Sequence, residues 1–384
     1  MSTNSNRTCA ITNCDSLLGY ALAYRLLSDM KHRKDTGSEI QRVRVLYRKD
    51  IDHLGLDKLK ELGAELVEAD YSSVDSLKTA LKGIHTVVLI PENSKNRLKE
   101  AKRLIKAAQN CNVEHLSMMS ITGVDQVRRS LTEETAKTGI FHNFFEYDKI
   151  ERKVRKKFGG SKHCIVRHAM FNQLFYFLAP EIEGQNVLPL PVDRNQKWST
   201  VDLNDVTECV WKLLQRSKEE RLAATKLTWD LAGERPKRSE EMSEDIAKGL
   251  GREELRYAQV KDEEVRDMLV RMRNDKRFKG RMPGKKEDRR LNDDSDDDES
   301  DVEKDGESPI EAVERRDGRD GFSTFPLGKF LNDQNIETMI EYWRMVTLGR
   351  EDIGLSDLKD VIGRRPYGVR DYFKANRDNF QRLK

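Results

Sequence analysis

The chain has 384 residues, of which 36% are Asp, Glu, Lys or Arg, yet the formal net charge at pH 7 is only +3. That length accommodates one large α/β domain with additions, or two domains, and the excess charge is local and of both signs. No run of about 18 apolar residues occurs, which excludes an apolar membrane-spanning helix. The opening MSTNSNRTCA lacks the charged-then-apolar order of a secretory signal, so an intracellular chain is expected, cytoplasmic or nuclear.

From the N-terminus, TCAITNCDSLLGYALAYR at residues 8–25 reads as a strand, a tight turn and a helix. Short apolar runs then alternate with amphipathic segments as far as Arg167. The spacing predicts strands at 8–12, 43–48, 65–68, 86–90, 115–119 and 164–167, and helices at 17–27, 54–62, 74–81, 97–108 and 144–157. Six strands joined by five crossovers predict a doubly wound parallel sheet, the α/β arrangement of Rossmann proteins. Its ligand belongs at the carboxyl ends of the strands, near the point where the strand order reverses.

Beyond Arg167 comes AMFNQLFYFL at 169–178, whose Phe171, Phe175 and Phe177 either line a cleft or pack in the core. Residues 226–231 read as a strand that rejoins the sheet, and 240–250 and 262–272 as helices of a smaller lobe. The character then changes outright, to the basic run KRFKGRMPGKKEDRR at 276–290 and the acidic run DDSDDDESDVEKDGE at 293–307. So little apolar surface cannot offset chain entropy, and 274–321 is expected to be a disordered insertion. The basic run suits nuclear import, and Ser295 and Ser300, each followed by acids, suit phosphorylation. The adjoining acidic block neutralises much of the basic one, which argues against direct binding of nucleic acid. Helical spacing returns at 336–348, 355–362 and 369–380. The expected division is a nucleotide-binding domain at 1–232, with 169–198 contributing to its cleft, and a helical lobe at 233–273 and 322–384.

In a dinucleotide-binding turn the first glycine permits the tight bend, the second admits the pyrophosphate, and the third lets helix pack on strand. Here those positions fall on Asn13, Ser16 and Gly19, with Leu17 opening the helix. Asn tolerates a left-handed backbone and Ser is small, so the turn can form with two glycines replaced. The second strand ends at Arg48, where an NAD-selective site places an acid; a cation there suits the 2′-phosphate of NADP. Asp70 after the third strand and Pro91 after the fourth lie where the adenine and ribose would pass.

Ser120 closes the fifth strand on the ligand side, and Lys149 sits in the helix that follows. In reductases built on such a sheet a Ser, a Tyr and a Lys cooperate, the phenol donating the proton and the Lys lowering its pKa while holding the ribose. The Tyr belongs four residues before the Lys, a position occupied here by Phe145; Tyr147 points about 200° around the helix from Lys149. Lys149 acting alone as base is the remaining catalytic reading, with Ser120 beside it. His142 and His168 read as structural. The five cysteines, Cys9, Cys14, Cys111, Cys164 and Cys209, have no zinc-site spacing and read as buried or bystander thiols, so no metal is expected.

The order and spacing of several segments resemble the NmrA-like family, atypical members of the short-chain dehydrogenase/reductase superfamily. They are ITNCDSLLG at 11–19, VRVLYR at 43–48, AELVEADYSSVDSLKTALKGIHTVVLIPE at 64–92, HLSMMSITGVD at 115–125, YDKIERKVRK at 147–156, IVRHAMFNQLF at 165–175, STVDLNDVTECVWKLL at 199–214 and GRRPYGVRDYFKANRDNF at 363–380. The resemblance implies an NADP-preferring Rossmann domain with a small C-terminal lobe over the cofactor. Some members of that family sense redox state by binding dinucleotide without turnover and control a transcription factor or signalling partner. Relatives similar to isoflavone reductases are true reductases with a lysine at the place of Lys149. Three readings follow: an NADP-sensing regulator that acts through protein contacts, an NADPH-dependent reductase of a small hydrophobic carbonyl or enone with Lys149 as base, and a scaffold that has lost nucleotide.

Overall fold

The computed structural model describes residues 7–32, 40–49, 55–130, 139–275, 331–349 and 356–380. Of the insertion expected at 274–321, Asn274 ends the helix Asp262–Asn274, and the charged runs at 276–290 and 293–307 lie outside the described residues. Seven parallel strands form the main sheet. Six are β1 (Thr8–Ile11), β2 (Arg42–Tyr47), β3 (Glu65–Glu68), β4 (Thr86–Leu89), β5 (His115–Ile121) and β6 (His163–His168). The seventh, Thr228–Leu231, pairs with β6 as 226–231 was expected to, and the spatial order is Thr228–Leu231, β6, β5, β4, β1, β2, β3. The order reverses between β1 and β4, which opens a crevice at their carboxyl ends.

Burial follows position in the sheet. Every residue of central β5 is buried, whereas edge strand β3 is exposed at both ends and only half-buried between them. On one face lie the helices Leu17–His32, Leu203–Leu214 and Leu358–Ile362; on the other lie Val74–Leu81, Arg97–Asn110 and His142–Lys157. Their starts are set by local chemistry: Ser73 accepts from Ser76 N, and Asp202 accepts from Asn204 N, satisfying first-turn amides that have no partner inside the helix. The segment at 169–178 is not a regular α-helix but a short strand, Met170–Phe171, running into the 3-10 turns of Asn172–Leu178.

The C-terminal region is mainly helical. Ser239–Leu250 packs against Val369–Ala375, and Asp262–Asn274 packs against Asp333–Thr347, which in turn lies on His142–Lys157. The helix Asp333–Thr347 thereby covers the crevice at the strand ends. Tertiary contact decides that placement, since the helix is separated in sequence from everything it covers. Among the described residues no helix is long and apolar enough to cross a membrane.

Candidate functional site

The turn after β1 takes the shape that its residue types allow. Asn13 adopts the left-handed φ of 58° that a glycine would otherwise supply. Its Nδ2 donates to Ile90 O at 3.2 Å, and its backbone N–H donates to the Tyr71 hydroxyl at 3.1 Å. Ser16 Oγ donates to Asn13 O at 2.8 Å and accepts from Gly19 N at 3.1 Å. Gly19 is the one motif glycine retained, and the reason is steric: a Cβ there would stand 2.0 Å from Asn13 O. Of the first-turn amides, that of Gly19 is thus taken by Ser16 Oγ, which leaves those of Leu17 and Leu18 at the helix start. Asp15, half-buried within the same turn, places a carboxyl beside them.

Arg48 flanks this turn and is already engaged. It donates to Glu92 at 3.0 Å and to Glu100 at 2.9 Å, and its guanidinium lies 4.3 Å from the centre of the Tyr71 ring. Burial pushes the Glu92 carboxyl up to about 7 in spite of the Arg48 cation. Asp70 lies exposed, accepting from Ser72 N at 2.7 Å, and it does not line the cavity described next.

A cavity of about 140 Å³ opens at the carboxyl ends of β4, β5 and β6. Its floor includes Ser16, Leu17, Pro91 and Ile121; its walls include Phe171 and Phe177; Met339 and Tyr342 of the covering helix form the roof. Phe175, by contrast, packs in the core at 6.3 Å from Trp198 and 5.9 Å from Phe373. His168 lines the cavity, stacked on Phe171 at 4.3 Å, and burial lowers it to about 4, so at neutral pH it is uncharged.

Two catalytic expectations are corrected here. Lys149 is exposed on the outer face of its helix and does not reach the cavity. Tyr147, which points the other way, is the residue that lines it; its hydroxyl hydrogen-bonds to none of the described residues, and burial raises its pKa so that the phenol stays protonated. The pairing of Tyr with a residue one turn later must therefore be counted from Tyr147, and it leads to Glu151 rather than to a lysine. Ser120 is fully buried and donates to Glu151 at 2.7 Å, so it too stays out of the cavity. Glu151 further accepts from Arg167 at 2.8 and 2.9 Å and from Arg155 at 3.1 Å. Burial opposes its charge, but these donors outweigh burial and hold the carboxyl below its ordinary range.

A second polar cluster ties the roof to the wall. Arg97, wholly buried, donates to Glu92 O at 2.7 Å and to Asn143 Oδ1 at 2.7 Å, and stacks 4.9 Å above the Tyr147 ring. Glu341 of the covering helix accepts from Asn143 N, Asn143 Nδ2 and Phe144 N at 3.0, 2.8 and 3.1 Å. A carboxylate from one helix thus caps the start of another, where the exposed amides and the helix dipole both favour negative charge. Sequence reasoning missed Tyr71, Glu341 and the register of Tyr147 with Glu151. Only the last had a local signal, a four-residue spacing in YDKIE. The thiols of Cys9, Cys14 and Cys209 are buried, and no cluster able to hold a metal occurs among the described residues.

Comparison with known proteins agrees with this geometry. Residues 38–216 match the model of a family described as NAD(P)H-binding; the first strand and its turn precede the matched span. No curated protein matches the chain. Among solved structures it is similar to the Citrobacter sp. triphenylmethane reductase complexed with NADP(H), at 14% identity and TM-score 0.63, covering 96% of this chain and 99% of that one. It is also similar to the Escherichia coli NADPH-dependent quinone oxidoreductase complexed with NADPH, at 14% identity, TM-score 0.59, and 95% and 98% coverage. A nucleoside-diphosphate-sugar epimerase from Staphylococcus aureus stands at 15% identity, TM-score 0.61, and 96% and 99% coverage. At such identities the likeness shows a shared fold.

Proposed function

We propose that this chain is an NmrA-like protein that binds NADP at the carboxyl edge of its sheet and acts as a redox-state sensor through protein contacts, with little or no catalysis. The observation that carries the reading is the Ser120–Glu151–Arg167 cluster. Where a reductase would hold a lysine one turn after its tyrosine, this chain holds a carboxylate locked to Arg167 and Ser120. An anion there neither lowers the pKa of Tyr147 nor donates to a ribose. The turn itself suits a dinucleotide: Asn13 supplies the left-handed bend, Gly19 the close packing of turn on helix, and the amides of Leu17 and Leu18 the donors for a pyrophosphate. Arg48 beside Tyr71 suits a 2′-phosphate, and the apolar cavity suits a nicotinamide ring. The bound nucleotide would supply a reducible ring whose state alters what the covering helix packs against.

A second reading, an NADPH-dependent reductase of hydrophobic carbonyls or enones, is favoured by Tyr147 alone, a protonated phenol facing the cavity. Titration of the purified chain with NADPH and NADH, followed by ligand fluorescence and thermal midpoint together, tests the proposal. Ligand that binds only the folded state at a hundredfold excess over its Kd adds about 2.7 kcal/mol. Binding that prefers NADPH, weakens at least tenfold in Arg48→Ala, and proceeds without oxidation of NADPH in the presence of quinones or enones is the expected result. Turnover of any such acceptor overturns the sensor; absence of a shift at millimolar nucleotide overturns NADP binding and leaves the scaffold reading.

A further inference from the structure

The helices Arg97–Asn110 and His142–Lys157 lie side by side, and on their outer surface they enclose a groove of about 500 Å³, remote from the cavity. Five cations line it: Lys102, Arg103 and Lys106 from the first helix, Lys153 and Lys157 from the second, with Val74, Gln109 and Asn110 completing the walls. No carboxylate is among the lining residues, and none of the five forms an ion pair with a described residue. Several neighbouring cations are matched by contrast: Arg152 pairs with Asp148, Arg155 with Glu151 and Lys78 with Asp75. The nearest acids are spoken for. Asp75 holds Lys78 and Asp70 is held by Ser72, although Lys106 and Arg103 each help to lower them. Five like charges in one groove repel one another and lower stability unless an anionic partner offsets them.

We propose that this groove is the docking surface for the acidic run of this same chain, residues 293–307. Ten of those fifteen residues are Asp or Glu and one is Lys, the complementary sign at a matching density. The chain returns to the described structure close by. Asn332 donates to Asn93 O at 3.1 Å, just before the helix that carries Lys102 and Lys106, and Lys106 lies only about 14 Å along that helix from its start. Residues 308–330 join the acidic run to Leu331; 23 residues can reach at most about 80 Å, so the chain length covers the distance. Because both partners belong to one chain the contact is intramolecular, which favours filling a site of modest affinity. Phosphate on Ser295 or Ser300 adds negative charge and tightens the contact. Because the second helix also carries Tyr147, occupation of the groove bears on the wall of the nucleotide cavity from behind.

The test uses the full chain, with the Lys and Arg of 276–290 changed to Gln throughout so that this run does not compete for the peptide, in three forms: otherwise wild type, a form with every Asp and Glu of 293–307 changed to Asn and Gln, and that neutralised form with Lys102→Ala, Lys106→Ala, Lys153→Ala and Lys157→Ala. A fluorescent peptide of residues 293–307 is titrated into each at 50 and 200 mM salt and read by anisotropy. The neutralised form should bind the peptide at least tenfold tighter than wild type, whose groove is already filled. The lysine variant should lose that binding, and the doubly phosphorylated peptide should bind tighter still. Equal binding to wild type and neutralised forms overturns the proposal, as does retention of binding in the lysine variant. A single-stranded RNA that binds both wild type and neutralised form equally, and only through the four lysines, would assign the groove to nucleic acid instead. The substituted lysines are exposed or half-exposed, and an unchanged thermal midpoint guards against misfolding as the cause of loss. Zero-length carbodiimide cross-linking of wild type supplies an independent readout. Concentration-independent links from 293–307 to Lys106 or Lys157 are expected, and links found only to other lysines refute the site.

Discussion

Replacing Gly19 by Ala puts the turn of the nucleotide site under a defined strain. The added Cβ falls 2.0 Å from Asn13 O, 2.7 Å from Asn13 C and 3.0 Å from Cys14 Cα, all backbone atoms that no rotamer change can move. Ordinary contact starts near 3.4 Å, so the carbonyl must retreat by more than an ångström. It is not free to do so: Asn13 is held by Ile90 O and by Tyr71 at 3.2 and 3.1 Å, and Ser16 donates to the same carbonyl at 2.8 Å. Overpacking against a well-fixed backbone costs about 3 kcal/mol, the upper part of the usual range. In a domain of this size that lowers the thermal midpoint by about 4–6 °C. Denaturant titration of wild type and Gly19→Ala, with NADPH binding measured on whatever remains folded, checks both stability and site. Gly159→Ala is the control, because nothing lies within 4 Å of its Cβ and its φ is −62°; it should change stability by less than about 0.5 kcal/mol. A Gly19→Ala protein within about 1 kcal/mol of wild type that binds NADPH equally well would refute the close packing of turn on helix.

The remaining predictions concern charge and the proton. Burial pushes Glu341 up to about 7 from 4.5, so between those values the folded chain holds the extra proton and this group's stabilisation falls as pH rises. His168, lowered by burial from 6.5 to about 4, acts in the opposite sense, its contribution rising with pH over that window. Glu341→Gln should therefore make the slope of stability against pH more positive between pH 5 and 6.5, by up to about 1.4 kcal/mol per unit, and an unchanged slope in urea titrations would contradict the assignment. Arg167→Met leaves Glu151 buried without its main partner and should cost about 3–5 kcal/mol, read from the denaturant midpoint; a loss below 1 kcal/mol would show that Glu151 is neutral in the fold. Tyr147→Phe should leave NADPH affinity within about twofold, since the phenol contributes a single hydroxyl. If wild type reduces an acceptor, the same variant separates the two readings: loss of turnover with binding intact identifies Tyr147 as the proton donor.

The strands and helices of the sheet were legible because each is written in local periodicity. The helix over 74–81 and the strand over 65–68 have the bounds their spacing predicts, and the other sheet elements differ by a few residues at their ends. The places of Arg48 and Pro91 at strand ends and of Asn13 and Gly19 in the turn were legible for the same reason, since that geometry follows from a few consecutive residues. Lys149 was misread because the spacing rule fixes which two residues share a helix face, not which face meets the cavity; packing turned Tyr147 inward and Lys149 outward. Nor could local pattern find the partners of Arg48. Glu92 and Glu100 lie 44 and 52 residues away, and the sheet order alone brings them together. Glu341 is more extreme, reaching Asn143 across 198 residues. The sequence by itself determined the alternation that forces a parallel sheet, the tight turn and the charge of the strand end. Tertiary structure alone decided which acids quench which cations, which helix roofs the cavity and which aromatic ring faces it. Periodicity is a property of neighbours along the chain, whereas ion pairing and burial depend on distances in space that only the completed fold sets.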